Sequence, residues 1–493
     1  MKIALVLCPS WGIETPHLGI ALLVASLRRR GFQAEVFDFN IRLKNRHKEK
    51  GLWKPEEDVC WEEESSVSRF INENEELLES FSKEICATNA QIVGFSIYNT
   101  THKLSLNLAR RIKKEDKDKL IIFGGQQCFP VRAAELLVKD EAVDAVAMGE
   151  GEEILPELMG KVKKMHRIDF CPGIIYKEKG SIINCGERPA VASLDYLPYA
   201  DFSDFSLSAY DNPCQLPILS SRGCSYQCVF CSTKLFWEKY RYMSGERIFK
   251  EIEYQINRHN GVDFFTFNDH TVNANMQSIS RFCDLVLEAK SGKSGSGSGW
   301  EKLSWRGAAV IRDEMDKEFI NKMKTSGCVE LEYGIESASI RVRKLMKKPP
   351  YDIRIIERVI RDTHEAGIGA RVNFMFGFPG ETEEDFEETL NFLKRNKEFF
   401  VQVHPSETFC CIDPNTYLSS HLEEFGVADK CHSLFWNSRD GKNTYPERLR
   451  RHQAFCELAN ALNIPLSPGG HKIMLHKEYF LKEYSKYKLS RAA

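Results

Sequence analysis

Arg222-Gly223-Cys224-Ser225-Tyr226-Gln227-Cys228-Val229-Phe230-Cys231 brings three cysteines together, separated by three residues and then by two. Three thiolates can hold three irons of a four-iron cluster. No fourth cysteine follows at ferredoxin spacing, so one iron is left open to a ligand from outside the protein. Structural zinc asks instead for four closed ligands, usually with a second C-x2-C or H-x3-H pair, and no such pair is evident. The run follows a short apolar segment, Pro217 to Ser220, which reads as a strand and puts the thiols at its carboxyl end.

From Leu216 to about Val403, further strand-like segments alternate with helix-length stretches: Phe264 to Phe267, Ser304 to Ala309, Val329 to Tyr333 and Arg371 to Phe376. Five or six such units predict a full or partial parallel barrel, with its chemistry at the carboxyl ends of the strands. One helix is well specified. Thr382 can cap it, Glu383, Glu384 and Asp385 fill its first turn, and Phe386, Leu390 and Leu393 form its apolar stripe. Ser291 to Gly299 is a Gly/Ser tract with no means of burying itself. The last ninety residues hold two apolar-rich patches, Phe399 to Val403 and Arg448 to Leu462, and are expected to close the barrel mouth.

Before the cysteine run, Ile3 to Leu7, Ala34 to Phe39, Ile92 to Ile97, Leu120 to Phe123 and Ala142 to Met148 read as buried strands of a second parallel sheet. The loops after them carry Pro9-Ser10-Trp11-Gly12, Ser96-Ile97-Tyr98-Asn99, Gly124-Gly125-Gln126-Gln127 and Gly149-Glu150-Gly151, at the edge where doubly wound sheets bind ligands. A polar insertion, Arg42 to Ser82, reads as a solvated helical excursion rather than a lid. Residues 165 to 213 read as a connector with a small hairpin around Lys177-Glu178-Lys179-Gly180.

The formal charge of -2 argues against a polyanion-binding surface, so nucleic acid is not expected as a partner. Arg28-Arg29-Arg30 closes a helix, Leu18 to Arg30, where basic residues offset the dipole and Gly31 caps the end. Apolar runs fall short of the ~20 residues of a membrane span. The start at Met1-Lys2-Ile3 carries no secretory signal, so a cytoplasmic protein with reduced thiols is expected. The thirteen cysteines outside the run read mostly as small buried hydrophobes.

Cys224-x3-Cys228-x2-Cys231, with Phe230 before the last cysteine, resembles the signature of the radical S-adenosylmethionine (SAM) superfamily. Phe267 to Val272, Tyr333-Gly334-Ile335-Glu336-Ser337 and Gly377-Phe378-Pro379-Gly380-Glu381-Thr382 resemble its later barrel motifs. Pro16-His17-Leu18-Gly19, Gly124-Gly125 and Gly149-Glu150-Gly151-Glu152 resemble the cobalamin-binding branch. No Asp-x-His-x-x-Gly occurs, which removes the diagnostic histidine ligand to cobalt.

The resemblance implies an α/β chain in four parts: a doubly wound Rossmann-like cobalamin-binding domain over 1–164, a connector over 165–213, a radical SAM barrel over 214–403, and a small α-rich capping region over 404–493. The implied cofactors are a 4Fe-4S cluster on Cys224, Cys228 and Cys231, SAM and cobalamin. Phe230, Asp269, Glu336, Ser337, Arg371, Gly377 and Pro379 are implied to bind SAM or substrate: Asp269 the methionine ammonium or the substrate, unless it caps the following helix; Glu336 and Ser337 the ribose or amino acid portion of SAM; Arg371 a carboxylate, or equally a surface acid; and the glycine and proline turn the adenine. Pro16, Leu18, Gly19, Ser96, Tyr98, Asn99, Gly124, Gly125, Gln126, Gln127, Gly149, Glu150 and Gly151 are implied to hold the corrin. Tyr98 and Trp11 would pack on its face or in the core, and His17 reads as a loop residue. The expected activity is reductive SAM cleavage and methylation of an unactivated carbon of a small-molecule or lipid-like substrate, under anaerobic conditions, with flavodoxin or ferredoxin as electron donor. Radical cyclisation, rearrangement or carbon-carbon coupling without methyl transfer is the competing enzyme reading. A redox sensor or scaffold is the non-enzymatic one, and an RNA methylthiotransferase fits least.

Overall fold

The computed structural model describes residues 1–292, 299–406, 409–428, 432–468 and 472–492. The Gly/Ser tract at 293–298 and Cys431 therefore lie outside the described residues. Two compact units emerge: Met1–Ile218 with Glu251–Val262, and Leu219–Lys250 with Asp263–Ala493.

In the first unit, β1 (Lys2–Leu7), β2 (Gln33–Asp38), β3 (Ile92–Ser96), β4 (Leu120–Gly124) and β5 (Ala145–Ala147) are parallel neighbours in the order β2-β1-β3-β4-β5. Their runs of Ile, Val, Leu and Phe are buried on both faces, which is why they read as continuous apolar segments. The order reverses between β1 and β3, and the crevice at such a reversal is where this architecture takes ligands. The hairpin expected in the connector belongs to this sheet instead. β6 (Ile174–Glu178) pairs antiparallel with β5, and β7 (Ser181–Asn184) with β6, covering an edge that would otherwise expose unpaired backbone. The insertion is helical, as expected, but more than a solvated excursion. Trp53, Trp61 and Phe70 are buried in the unit's core, with Trp53 Nε1 donating to Asn40 Oδ1 at 2.8 Å.

β8 (Gln215–Ile218) ends just before the second unit. There the short pair β9 (Ser221–Arg222) and β10 (Arg241–Tyr242) brackets the cysteine loop. β11 (Phe264–Phe267), β12 (Ser304–Ala309), β13 (Cys328–Glu336), β14 (Gly369–Phe374) and β15 (Phe400–Pro405) then follow as parallel neighbours in chain order. The free side of β15 is covered by backbone bonds between Val403 and the 465–467 segment, so the sheet is a partial barrel. Along β13, Leu331, Tyr333 and Ile335 are buried while Glu330, Glu332, Gly334 and Glu336 take the inner face, the period-two alternation of a strand. The helix Glu383–Asn396 carries the expected cap, a reciprocal capping box between Thr382 and Asp385.

The C-terminal region divides its work. Ile412, Leu418, Val427 and Trp436 pack with Val229 of the cysteine loop and with Phe378. The helix Tyr445–Ala461 sets Phe455 against Phe374 and Phe376, with ring centroids 4.9 and 5.0 Å apart. That helix supports a barrel strand from its apolar side. No helix of the described residues is long and apolar enough to cross a membrane.

Candidate functional site

The cysteine loop is pinned at both ends. Met243 N donates to Ser220 O at 2.7 Å and Val229 N to Met346 O at 3.0 Å. Arg222 and Arg241 both lie over the Trp237 ring. Inside the loop Cys231 N donates to Cys228 O, and Tyr226 N to the Cys224 sulfur at 3.4 Å. The three thiols are half-buried. Burial holds the Cys224 thiol above its ordinary pKa and pushes Cys228 up to about 11, while the nearby Lys348 charge acts in the opposite direction on both. Iron binding must displace those protons. Among the described residues no three His, Cys, Asp or Glu side chains converge on one metal position. A four-iron cluster takes each thiolate on a separate iron. Three accessible sulfurs on a fixed loop suit the cluster. Eight of the twelve other described cysteines are buried.

Glu336 ends β13 at a register shift against β14 and at φ 67°, a conformation uncommon outside glycine and concentrated at functional positions. Its carboxylate lies 3.5 Å from Lys348 and acts electrostatically on Cys228. Ser337, expected to meet SAM, is fully buried, and its hydroxyl accepts from Ser339 N, so it shapes the turn. Asp269 is likewise committed. Its carboxylate accepts from Ser220 N, Ser221 N and, at 2.6 Å, Ser221 Oγ, fastening the backbone that enters the cysteine loop. Burial pushes its pKa up to about 7 against those bonds. Arg371 lies three residues before the end of β14 and pairs with Glu330 at 3.3 Å, well short of the loop.

The turn after β14 is braced from the C-terminal region. Gly377, at φ 69°, leaves no room for a side chain, because a Cβ there would sit 2.3 Å from Arg448 Cγ. Asn443 Nδ2 donates to Gly377 O at 3.0 Å, and Gly377 N donates to Glu381. Glu381 pairs with Arg451 at 2.8 Å, both nearly inaccessible; burial pushes Glu381 up to about 7 in spite of Arg451. Pro379 lies within this turn. Phe230 meets Phe378 edge-on at 6.4 Å, linking turn and cysteine loop. Sequence reasoning missed Lys348, Asn443, Arg448 and Arg451, which lie outside any motif. Glu381 stands inside a recognised motif and was given no task.

In the first unit the loops after β1 and β3 meet at the crevice. Trp11 stacks on Tyr98 at 3.9 Å. His17 caps the helix Leu18–Arg29, its Nδ1 accepting from Ile20 N at 3.0 Å, while its Nε2 pairs with Tyr98 OH at 2.8 Å. Burial lowers its pKa to about 4. Both ring nitrogens are engaged. Pro16, Leu18 and Gly19 thus build a helix start. Asn99 and Gln126 are exposed, and Ser96 and Gln127 partly so. These side chains suit the amide fringe of a corrin. Gly125, at φ 110°, would place a Cβ 2.6 Å from Ile97 O, so only glycine lets the β4 loop lie against the β3 loop. Gly124 and Gly149 flank the same edge. Glu150 is buried and accepts from Val191 N, and a Cβ on Gly151 would meet Leu23. Both are structural rather than displayed.

Residues 218–393 match the family model of the radical SAM superfamily, and residues 62–159 that of the B12 binding domain. The chain belongs to the cobalamin-binding branch of the radical SAM superfamily. It is 28% identical to an uncharacterised methyltransferase of Pyrococcus horikoshii, over 87% of this chain and 84% of that protein. It is 25% identical to the anaerobic magnesium-protoporphyrin IX monomethyl ester cyclase of Cereibacter sphaeroides over 64% of this chain, and spans about half of that cyclase. The structure of the radical SAM methyltransferase TsrM from Kitasatospora setae, with cobalamin and a [4Fe-4S] cluster bound, superposes with a TM-score of 0.62 at 16% identity, covering 82% of this chain and 71% of that one. That likeness concerns the fold. A radical SAM chain of this branch uses a 4Fe-4S cluster, SAM and cobalamin.

Proposed function

We propose that this radical SAM enzyme transfers a methyl group to an unactivated carbon of a small-molecule or lipid-like substrate. One observation carries the reading: a single chain holds a pinned trio of half-buried thiols heading a parallel barrel and a β2-β1-β3-β4-β5 sheet with an amide-lined crevice. The methyltransferase similarity spans 87% of this chain and 84% of that protein, whereas the cyclase similarity spans 64% and 50%. When bound, the cluster supplies the electron that splits SAM to a 5′-deoxyadenosyl radical, and cobalamin supplies the transferable methyl group.

The chain's residues supply the rest. Cys224, Cys228 and Cys231 ligate three irons, and Glu336 with Lys348 meets the polar end of SAM. The Gly377 to Gly380 turn, with Phe230 beside it, brings backbone to the adenine. Ser96, Asn99, Gln126 and Gln127 hydrogen-bond the corrin amides. Residues 1–164 act as the cobalamin-binding domain and 214–403 as the barrel. A low-potential donor such as flavodoxin or ferredoxin, and a reducing cytoplasm, belong to the same proposal.

The test is anaerobic turnover with methyl-labelled SAM and a small-molecule extract. Label in an extracted product together with 5′-deoxyadenosine supports methyl transfer; 5′-deoxyadenosine with all label left in methionine contradicts it.

A further inference from the structure

The inner face of β13, β14 and β15 carries a polar set that the cluster loop does not use. Glu332, Arg371, Asn373, Gln402 and His404 line a cavity of about 230 Å³. Strand register sets Glu332 opposite Arg371, Arg371 opposite Gln402, and Asn373 opposite His404. Glu332 precedes Glu336, the carboxylate that acts on Cys228, by four residues. At about 3.3 Å per residue Glu332 lies roughly 13 Å deeper along the strand, while Asn373 and His404 reach the level of Gly334.

Charge is unevenly shared there. Glu330 faces two guanidiniums, Arg371 at 3.3 Å and Arg306 at 3.7 Å, leaving cationic charge in excess at that end. Glu332 receives only a neutral donor, Asn373 Nδ2 at 2.7 Å, and forms no ion pair among the described residues. That bond fixes the amide orientation, and Asn373 Oδ1 is then a buried acceptor with no partner, a state that costs about 1–3 kcal/mol. His404 pairs with Ser467 Oγ, and burial lowers its pKa from the ordinary imidazole value. A self-sufficient polar core would fill the lone acceptor and pair each carboxylate with a cation.

We infer that this cavity binds the zwitterionic head of the substrate, an α-amino acid or a group of that form. Its ammonium lies on Glu332 and its carboxylate on Arg371. The volume falls below the ~300–1,000 Å³ of sites for whole drug-sized ligands, which suits a head group whose remainder extends toward the strand ends. The inference rests on the barrel being the radical site. SAM's methionyl end has the same chemistry, so the test separates the two.

Saturation-transfer NMR on anaerobic holoprotein, with L-alanine, alaninamide and N-acetylalanine as probes, decides it. The expected result is saturable alanine binding that persists under saturating SAM, at least tenfold weaker binding of both capped forms, and at least tenfold loss of alanine affinity in E332Q. Equal binding of capped and free forms, displacement of alanine by SAM, or no alanine binding overturns the assignment. The capped-probe comparison uses wild-type protein alone, so it stands even where E332Q folds poorly. Alanine binding in a holoprotein that makes no 5′-deoxyadenosine keeps the cavity assignment and refutes the radical reading instead.

Discussion

The Asp269 carboxylate accepts from Ser220 and Ser221 at the entry to the cysteine loop. This makes it a positioning residue rather than a SAM contact. In D269N the amide nitrogen faces backbone N–H donors, leaving buried groups unpaired at about 1–3 kcal/mol. The expected outcome is a loss of about 2 kcal/mol in denaturant unfolding and a fall in iron per chain, with SAM affinity per reconstituted cluster unchanged. A direct contact with the methionine ammonium would show the reverse, full iron and weakened SAM. In the other unit, Gly125→Ala forces a Cβ against Ile97 O and deforms the crevice loop. Cobalamin uptake should drop at least tenfold while iron content holds, as read from the corrin and cluster absorption bands.

Among the elements, the helix Glu383–Asn396 offers a clean pH test. Burial alone would raise Asp385, but hydrogen bonds from Arg341, Ser339 and Thr382 win and bring it to about 2. A carboxylate depressed on folding contributes stability above its unfolded pKa of ~3.9, and that contribution is lost as pH falls toward 2. With Arg341 half exposed, about 1–2 kcal/mol is involved. Denaturant unfolding of wild type and D385N should differ by this amount at pH 6 and converge near pH 2. The helix Tyr445–Ala461 makes a second prediction through Arg451, buried against Glu381. R451M strands that carboxylate and should cost about 3 kcal/mol, and adding E381Q should recover much of the loss.

How far these elements were legible follows from their local signals. β11, β12 and the capped helix declared themselves by apolar runs and by Thr382 with its acidic first turn. β15 read only as an apolar patch, because Phe400-Val401-Gln402-Val403-His404 mixes polar inner-face residues into the run. The hairpin at β6 and β7 was visible, but not its sheet, since antiparallel pairing onto β5 leaves no mark in composition. The cysteine trio was legible from spacing alone. The roles of Asp269, Ser337 and Glu150 were not, because each depends on partners 41 or more residues away or on burial.

At the level of the complete chain, two α/β units, each with ligand-binding loops at the carboxyl edge of a parallel sheet, are held by one polypeptide that belongs to the cobalamin-binding radical SAM enzymes. The proposed methyl transfer depends on Cys224, Cys228 and Cys231 presenting an open iron to SAM. The decisive measurement is 5′-deoxyadenosine formed on dithionite reduction of anaerobically reconstituted protein, wild type against the C224A/C228A/C231A triple variant. Wild-type protein loaded with about four irons per chain should cleave SAM and the triple variant should not. Cleavage by the triple variant, or none by the fully loaded wild type, would contradict the account.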